Sequence, residues 1–277
     1  MTTTPTLVLG ATGKTGRRVA ERLKARGLPV RLGSRSGKPP FDWEDRDTWT
    51  PALRGAGAAY VTYYPDLSVP GAADTVGAFA ELAVKCGVRH LVLLSGRGEE
   101  EALLAERAVQ NSGADWTILR STWFCQNFDE GFFLDQILSG EVALPVGDIQ
   151  EPFVDADDIA DVAVAALTDC RHVGQLYELT GPRLLTFPDA IREIASAVGR
   201  EIRYVQVSRE QYASLLVEQK VPAEFISLMD YLLTEVLDGR NAHLADGVER
   251  ALGRRPRDFA DYVREAAALG LVGTEKR

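Results

Sequence analysis

The stretch Leu7–Arg18, reading LVLGATGKTGRR, constrains the fold more tightly than any other part of this sequence. Three apolar residues run into Gly10, glycine recurs at Gly13 and Gly16, and a helical pattern begins at Arg17. The order is strand, tight turn, helix. Gly10 permits the turn, Gly13 removes the Cβ that would hold a pyrophosphate away from the backbone, and Gly16 lets helix and strand pack closely. The N–H groups and positive dipole end of the helix then face the phosphates. Three glycines alone are a weak signal, and the flanking strand and helix are what turn them into a dinucleotide-binding fingerprint.

A strand-like stretch, Leu28–Leu32, follows Gly27 and ends in Gly33-Ser34-Arg35-Ser36. In dinucleotide folds an acid about 20 residues past the glycine turn accepts the ribose 2′-hydroxyl of NAD, whereas an arginine there accommodates the 2′-phosphate of NADP. Arg35 stands where the acid would be. A planar guanidinium pairs bidentately with phosphate, and Ser34, Ser36 and Lys38 are further donors. The pattern predicts NADP rather than NAD.

Helix and strand then alternate. A helix is predicted over 45–53, and a strand over 58–64 that Pro65 stops. Tyr63 and Tyr64 thus stand at a strand's carboxyl end, where open parallel sheets bind ligands. Both are candidates to line the cofactor cleft, the alternative being that one packs inward while the other caps the loop. A helix over 71–86 closes at Gly87, and the strand over 89–95 is apolar enough in its middle to be buried on both faces. Its last residue, Ser95, reaches the same edge. A helix over 99–111 and a strand over 116–119 complete five alternations, the signature of an α/β fold with a doubly wound parallel sheet.

Beyond Trp123 the pattern changes. Phe124, Phe128, Phe132 and Phe133 crowd around Asn127, Asp129 and Glu130, as a core or as the wall of a pocket. Asp155, Asp157 and Asp158 open a further helix, and a strand over 175–179 returns to the sheet. The last hundred residues carry amphipathic helices over 187–198, 211–218, 224–237 and 258–268, with a strand-like 202–207. The expected division is a cofactor domain of 1–122 with 148–180 returning to it, and a small, mostly helical substrate lobe of 123–147 and 181–277. Substrate cavities commonly form between such lobes.

Composition excludes several classes. A net charge of -9 across 277 residues disfavours a nucleic-acid surface, which needs clustered Lys and Arg. Cys86, Cys125 and Cys170 are odd in number and far apart, so neither disulfides nor a metal site is expected. The opening MTTTPT lacks a basic and then apolar leader, and no later run reaches membrane-spanning length, so a cytoplasmic protein with a small-molecule substrate is expected. Nothing in the sequence specifies an oligomeric state. The segment 34–47, rich in Gly, Pro and charge, reads as a surface loop.

GATGKTG after a strand, Ser-Arg-Ser ending the second strand, LVLLS ending the fourth, ILRSTWFCQNF after the fifth and PFVDADDIADVAVAAL further on resemble the NmrA-like branch of atypical short-chain dehydrogenases. FDWEDRDTW and GPRLLTFPDAIREIASAVGREI are most similar to the festuclavine dehydrogenase group of ergot-alkaloid reductases and its bacterial relatives. The resemblance implies a Rossmann-type NADP-binding domain, a small C-terminal substrate lobe and hydride transfer from NADPH. It implies that Gly10, Thr12, Gly13, Lys14, Thr15 and Gly16 contact the pyrophosphate, that Arg35 and Ser36 hold the 2′-phosphate, and that Ser95, Trp123, Phe124 and Asn127 lie near the nicotinamide, with Phe128 beside them in the substrate segment. The branch also contains dinucleotide-sensing regulators without turnover, so the alternative to an enzyme is an NADP sensor.

One departure bears on chemistry. The wider short-chain dehydrogenases carry Tyr-x-x-x-Lys after the serine-bearing strand, and between Ser95 and Arg120 this chain has neither residue. Glu106 and Arg107 occupy that helix, where an exposed face is expected for both. Hydride delivered to a neutral carbonyl builds an alkoxide that needs a proton donor. Delivered to an iminium it cancels charge, and a quinone or enone spreads the new charge. The expectation is a reductase for an electron-poor, planar substrate in secondary or xenobiotic metabolism, with Asp129, Glu130 and Asp148 as candidates to face a cation.

Overall fold

The computed structural model describes residues 4–270; residues 1–3 of the opening segment and 271–277 of the expected substrate lobe lie outside it. In chain order the elements are β1 (Thr6–Leu9), α1 (Lys14–Ala25), β2 (Val30–Gly33), α2 (Trp49–Leu53), β3 (Ala58–Val61), α3 (Ala72–Lys85), β4 (His90–Gly96), α4 (Glu100–Gln110) and β5 (Asp115–Ser121). They continue with α5 (Leu134–Ser139), β6 (Glu141–Leu144), β7 (Gln150–Glu151), α6 (Ala156–Thr168), β8 (Gln175–Leu179), β9 (Leu185–Thr186), α7 (Phe187–Val198) and β10 (Arg203–Gln206). The last are α8 (Arg209–Glu218), α9 (Ala223–Tyr231), α10 (Gly247–Leu252) and α11 (Phe259–Ala268).

The chain divides into two units. The first runs to Ser121 and adds Ala156–Leu179 and Asp246–Arg255; the second comprises Thr122–Asp155, Thr180–Ala245 and the described residues from Pro256 onward. Two segments depart from the expected division. Residues 148–155 fall in the second unit and 246–255 in the first. Gly247 explains the latter, because the start of α10 lies so close to the β8 backbone that a Cβ there would be 2.7 Å from the Glu178 carbonyl carbon.

The first unit is a six-stranded parallel sheet of order β2-β1-β3-β4-β5-β8. The strand order runs outward in opposite directions from β1, to β2 on one side and to β3 and beyond on the other, and this is the topological switch at which such sheets bind ligands. Leu7, Val8 and Leu9, and then Leu91, Val92 and Leu93, are fully buried. This is what an apolar run without alternation produces when helices cover both sheet faces. On one face α1 meets α6, and Arg22 pairs with Asp161 at 2.7 Å. On the other, α3 and α4 approach closely enough that a Cβ on Gly77 would lie 3.2 Å from that of Ala108. Phe41, Trp43, Trp49 and Phe79 pack as one aromatic group, with Phe41 and Phe79 5.7 Å apart edge to face. The expected loop 34–47 therefore supplies a core residue, since Phe41 is buried. The strand predicted to reach Tyr64 stops at Val61 because the Thr62 carbonyl accepts from Trp43 Nε1 at 3.0 Å.

The second unit has its own core of Phe128, Phe133, Phe153, Phe187 and Phe259, with Ile137, Ile191 and Met229. Two short sheets frame it, β10 parallel to β6 and β7 antiparallel to β9. α7 begins with a capping box in which the Thr186 side chain accepts from the Asp189 N–H and Asp189 returns to the Thr186 N–H. The predicted helix over 224–237 is α9 followed by a π turn at Leu232–Val236.

Candidate functional site: a glycine turn and a charged strand edge

Gly10 follows β1 with a φ of 60°, a left-handed conformation that glycine adopts without a steric cost. Its carbonyl accepts from the Gly13 N–H at 2.8 Å and so closes the turn. A Cβ at Gly16 would overlap the Gly10 carbonyl oxygen and lie 2.6 Å from its carbon, whereas one at Gly13 would only touch that oxygen at 3.3 Å. The two glycines thus have different reasons. Gly16 is required by the protein's own packing. Gly13 is exposed, and its missing Cβ leaves the backbone open to a ligand.

α1 starts directly after this turn. Its N-cap residue, Gly13, makes no side-chain cap, and the first turn holds no acid. First-turn N–H groups have no intrahelical acceptor, and the helix dipole adds positive potential there, so the end suits an anion. Thr12 is exposed, Lys14 half-buried and Thr15 buried, so Thr15 offers its backbone rather than its hydroxyl. The cradle fits a dinucleotide pyrophosphate, on the evidence of the backbone that a Cβ at Gly13 would obstruct.

At the end of β2, the Ser34 carbonyl accepts from both Gly37 and Phe41 N–H at 2.9 Å, which folds the loop into a fixed arch. Arg35, Ser36 and Lys38 are exposed on it, and Arg35 has no ion-pair partner among the described residues. A guanidinium held on an ordered loop and left unpaired is suited to a phosphate. At the end of β3, Tyr63 packs against Trp43 with ring centroids 5.0 Å apart, while Tyr64 is 78% exposed.

The end of β4 holds what the sequence reading missed. Ser95 Oγ donates to Glu106 Oε1 at 2.6 Å. Arg120 grips the same carboxylate with Nε and Nη2 at 3.0 and 2.6 Å and reaches Glu178 with Nη1 at 3.1 Å. Arg97 Nε donates to Glu178 at 3.3 Å. Two acids therefore meet two guanidinium groups across β4, α4, β5 and β8, and the Glu106 hydrogen bond raises the Arg120 pKa. Glu106 is only 3% exposed, which corrects the expectation of a surface position; Arg107 is exposed as expected. The signal was present in the spacing. Ala102, Ala105 and Val109 form the buried stripe of α4, and Glu106 falls on it. Burying an acid there is tolerable only with charged and hydrogen-bonding partners.

In the second unit, Trp123 is half-buried and stacks on Phe133 at 6.2 Å. Phe124 bridges to Val154, and Asn127 is half-buried. Phe128 is fully buried among Phe133, Phe153, Phe187 and Phe259. It has no surface to offer a substrate, and its place in the expected pocket is corrected to the core. Asp129 is buried and faces Tyr262, whose hydroxyl pKa is pushed up by burial and by that carboxylate. Asp148 is exposed. Among the described residues no group of His, Cys, Asp and Glu could hold a metal ion, and no helix is long and apolar enough to cross a membrane.

No family model matches the chain. It is 31% identical over 284 residues to the agroclavine dehydrogenase of Claviceps fusiformis, covering 96% of this chain and 98% of that protein. It is 30% identical over 287 residues to the NAD(P)H azoreductase of Xenophilus azovorans, covering 96% and 99%. Among solved structures, the Citrobacter sp. triphenylmethane reductase complexed with NADP(H) matches with a TM-score of 0.75 at 18% identity, over 95% of this chain and 99% of that one. The last likeness is one of fold. Together with the glycine turn and the parallel sheet, these relatives identify the chain as a member of the family of the agroclavine and festuclavine dehydrogenases and their bacterial relatives, a family of oxidoreductases, with a fold it shares with NmrA.

Proposed function

We propose that the protein is an NADPH-dependent reductase that passes hydride to an electron-poor organic acceptor, an iminium, quinone or unsaturated carbonyl, in secondary or xenobiotic metabolism. The observation that carries this reading is the pairing of an open glycine cradle with an exposed, unpartnered Arg35 on one edge of one parallel sheet. The cradle N–H groups receive the pyrophosphate and Arg35 with Ser36 receives the 2′-phosphate. When bound, the reduced dinucleotide supplies the hydride. Arg120 and Glu106 hold Ser95 in place at the end of β4, with its hydrogen committed to Glu106. Its oxygen lone pairs remain to accept from an N–H or O–H of the ligand. Trp123, Phe124 and Asn127 form the polar and aromatic surface for a planar substrate.

The acceptor class follows from the same residues. With no tyrosine or lysine between Ser95 and Arg120, and with Ser95 donating to Glu106, β4 and α4 supply no hydroxyl or ammonium donor to a simple ketone's developing alkoxide. Substrates that begin as cations or that delocalise charge ask less of the protein, and positioning supplies most of the acceleration. The azoreductase and triphenylmethane reductase names fall in that chemistry. Incubation with NADPH and a panel of quinones, iminium dyes, enones and aliphatic ketones, followed by nicotinamide absorbance, tests it. Consumption with a conjugated or cationic class and not with aliphatic ketones is expected. Robust ketone reduction, or no consumption at all, contradicts it.

A further inference from the structure

At the amino ends of the strands, opposite the edge that carries the glycine turn, the first unit contains a cavity of about 680 Å³. That volume suits a small organic molecule rather than a single ion, since one water occupies about 30 Å³. Its floor is a row of the sheet. The register pairs Thr6 with Ala58, Ala58 with His90 and His90 with Asp115, which puts four side chains on one face across β1, β3, β4 and β5. Two residues further along the same face, Val8 and Val92 are fully buried. At the row itself α6 has stopped, at Thr168, and Thr6, Ala58 and His90 are half-buried while Asp115 is exposed.

The polar groups around this cavity act chiefly as acceptors. Thr117 Oγ donates to the His172 carbonyl at 2.7 Å, so in its 3.0 Å contact with His90 the hydroxyl accepts and Nε2–H donates. In the neutral ring Nδ1 then carries a lone pair. Burial lowers the His90 pKa against the pull of Asp115 and keeps the ring neutral. The Asp115 carboxylate has no ion pair and accepts no hydrogen bond among the described residues. The opposite wall is the end of α6, with Ala166, Leu167 and Thr168. Their carbonyls accept no N–H among the described residues, and the last turn of α6 has no basic residue to offset the negative end of the helix dipole. Two further charges line the cavity. Asp169 is paired with Arg171 at 2.6 Å, and Arg89 is exposed, where solvent screens it.

We propose that this cavity binds a small aliphatic ammonium ion, a diamine or short polyamine, at a site separate from the cofactor edge. Its N–H groups donate to the Asp115 carboxylate and to the carbonyls that end α6. Its methylene chain lies along Leu28, Ala58 and Val173. An anion of the same size would face that carboxylate and the negative helix end. The glycine turn lies at the other end of β1, so the ligand does not compete with a dinucleotide, and the inference stands apart from the reductase reading.

Calorimetric titration with 1,4-diaminobutane tests this. A net charge of -9 attracts any polycation to the surface, so potassium chloride of equal ionic strength is the control. One diamine per chain is expected to bind saturably. Asp115→Asn is expected to weaken it at least about tenfold, the scale of one lost charge-assisted hydrogen bond. The thermal midpoint of that variant should stay at the wild-type value, because Asp115 is exposed and unpaired. Ring-labelled histidine gives a second readout, with three imidazoles in the chain. The diamine should shift the His90 signal, identified by its loss in His90→Gln, and leave His243 of the second unit in place. No saturable heat up to about 10 mM overturns the proposal. So do equal affinity in Asp115→Asn, an effect that potassium chloride reproduces, or a titration that moves no histidine signal.

Discussion

A Cβ on Gly16 would overlap the carbonyl oxygen of Gly10, so the first turn of α1 and the end of β1 are in backbone contact. Gly16→Ala must therefore move the helix or the turn. Overpacking of this kind costs about 1–3 kcal/mol, visible as a lower midpoint in denaturant. Gly13→Ala meets the same oxygen only at 3.3 Å and has an extended φ of -86° open to any residue. Its expected outcome is near-native stability with NADPH affinity reduced at least about tenfold, because the added methyl group faces the phosphates rather than the protein.

Glu106 is expected to be a determinant of stability as well as of the site. Glu106→Ala leaves Arg120 short of its bidentate partner at a largely buried position, which costs about 3 kcal/mol. Urea unfolding measures this. Glu106→Gln keeps a hydrogen-bond acceptor for Ser95 and should lose less.

Glu99 predicts a pH dependence with a defined sign. Burial first, then Asp66 and Glu106, raise its folded pKa above the ordinary carboxyl value. The folded state then binds more protons than the unfolded one between about pH 4.3 and the raised value, so this group's contribution to stability falls as pH rises through that window. Thermal unfolding of Glu99→Gln should match the wild type more closely in acid and gain on it toward neutral pH. A difference that stays flat or shrinks on raising the pH would contradict the shift.

In the second unit, Phe128 and Trp123 are expected to separate. Phe128→Ala removes a ring buried among four others and costs about 3–5 kcal/mol. Trp123→Ala removes a half-buried ring. Its stability loss should be smaller, and its kinetic signature is a raised KM for planar acceptors, measured at saturating NADPH.

The parts of this fold that were legible in the sequence are those set by short-range spacing. The glycine turn with its flanking strand and helix start lies within Leu7–Arg18, and β8 and α7 occupy the residues their patterns predict. The pairing of β6 with β10 was not legible, because Glu141 and Arg203 are 62 residues apart and each strand has four residues. The β4 edge shows the same limit. Glu106 falls on the buried stripe of α4, yet what makes its burial tolerable is Arg120 from β5, 14 residues away, which the helix pattern alone does not show. Phe41 lies in a segment whose Gly and Pro content signals a loop, yet the aromatic group around Phe79 draws it into the core.

The most direct test of the account is calorimetric titration of the protein with NADPH and NADH, repeated on Arg35→Asp. The account predicts NADPH binding at least about tenfold tighter than NADH in the wild type, since one charge-assisted phosphate contact contributes roughly 1.5–3 kcal/mol. It predicts that Arg35→Asp abolishes or reverses that preference. No heat with either dinucleotide, or equal affinities that Arg35→Asp leaves unchanged, would contradict it.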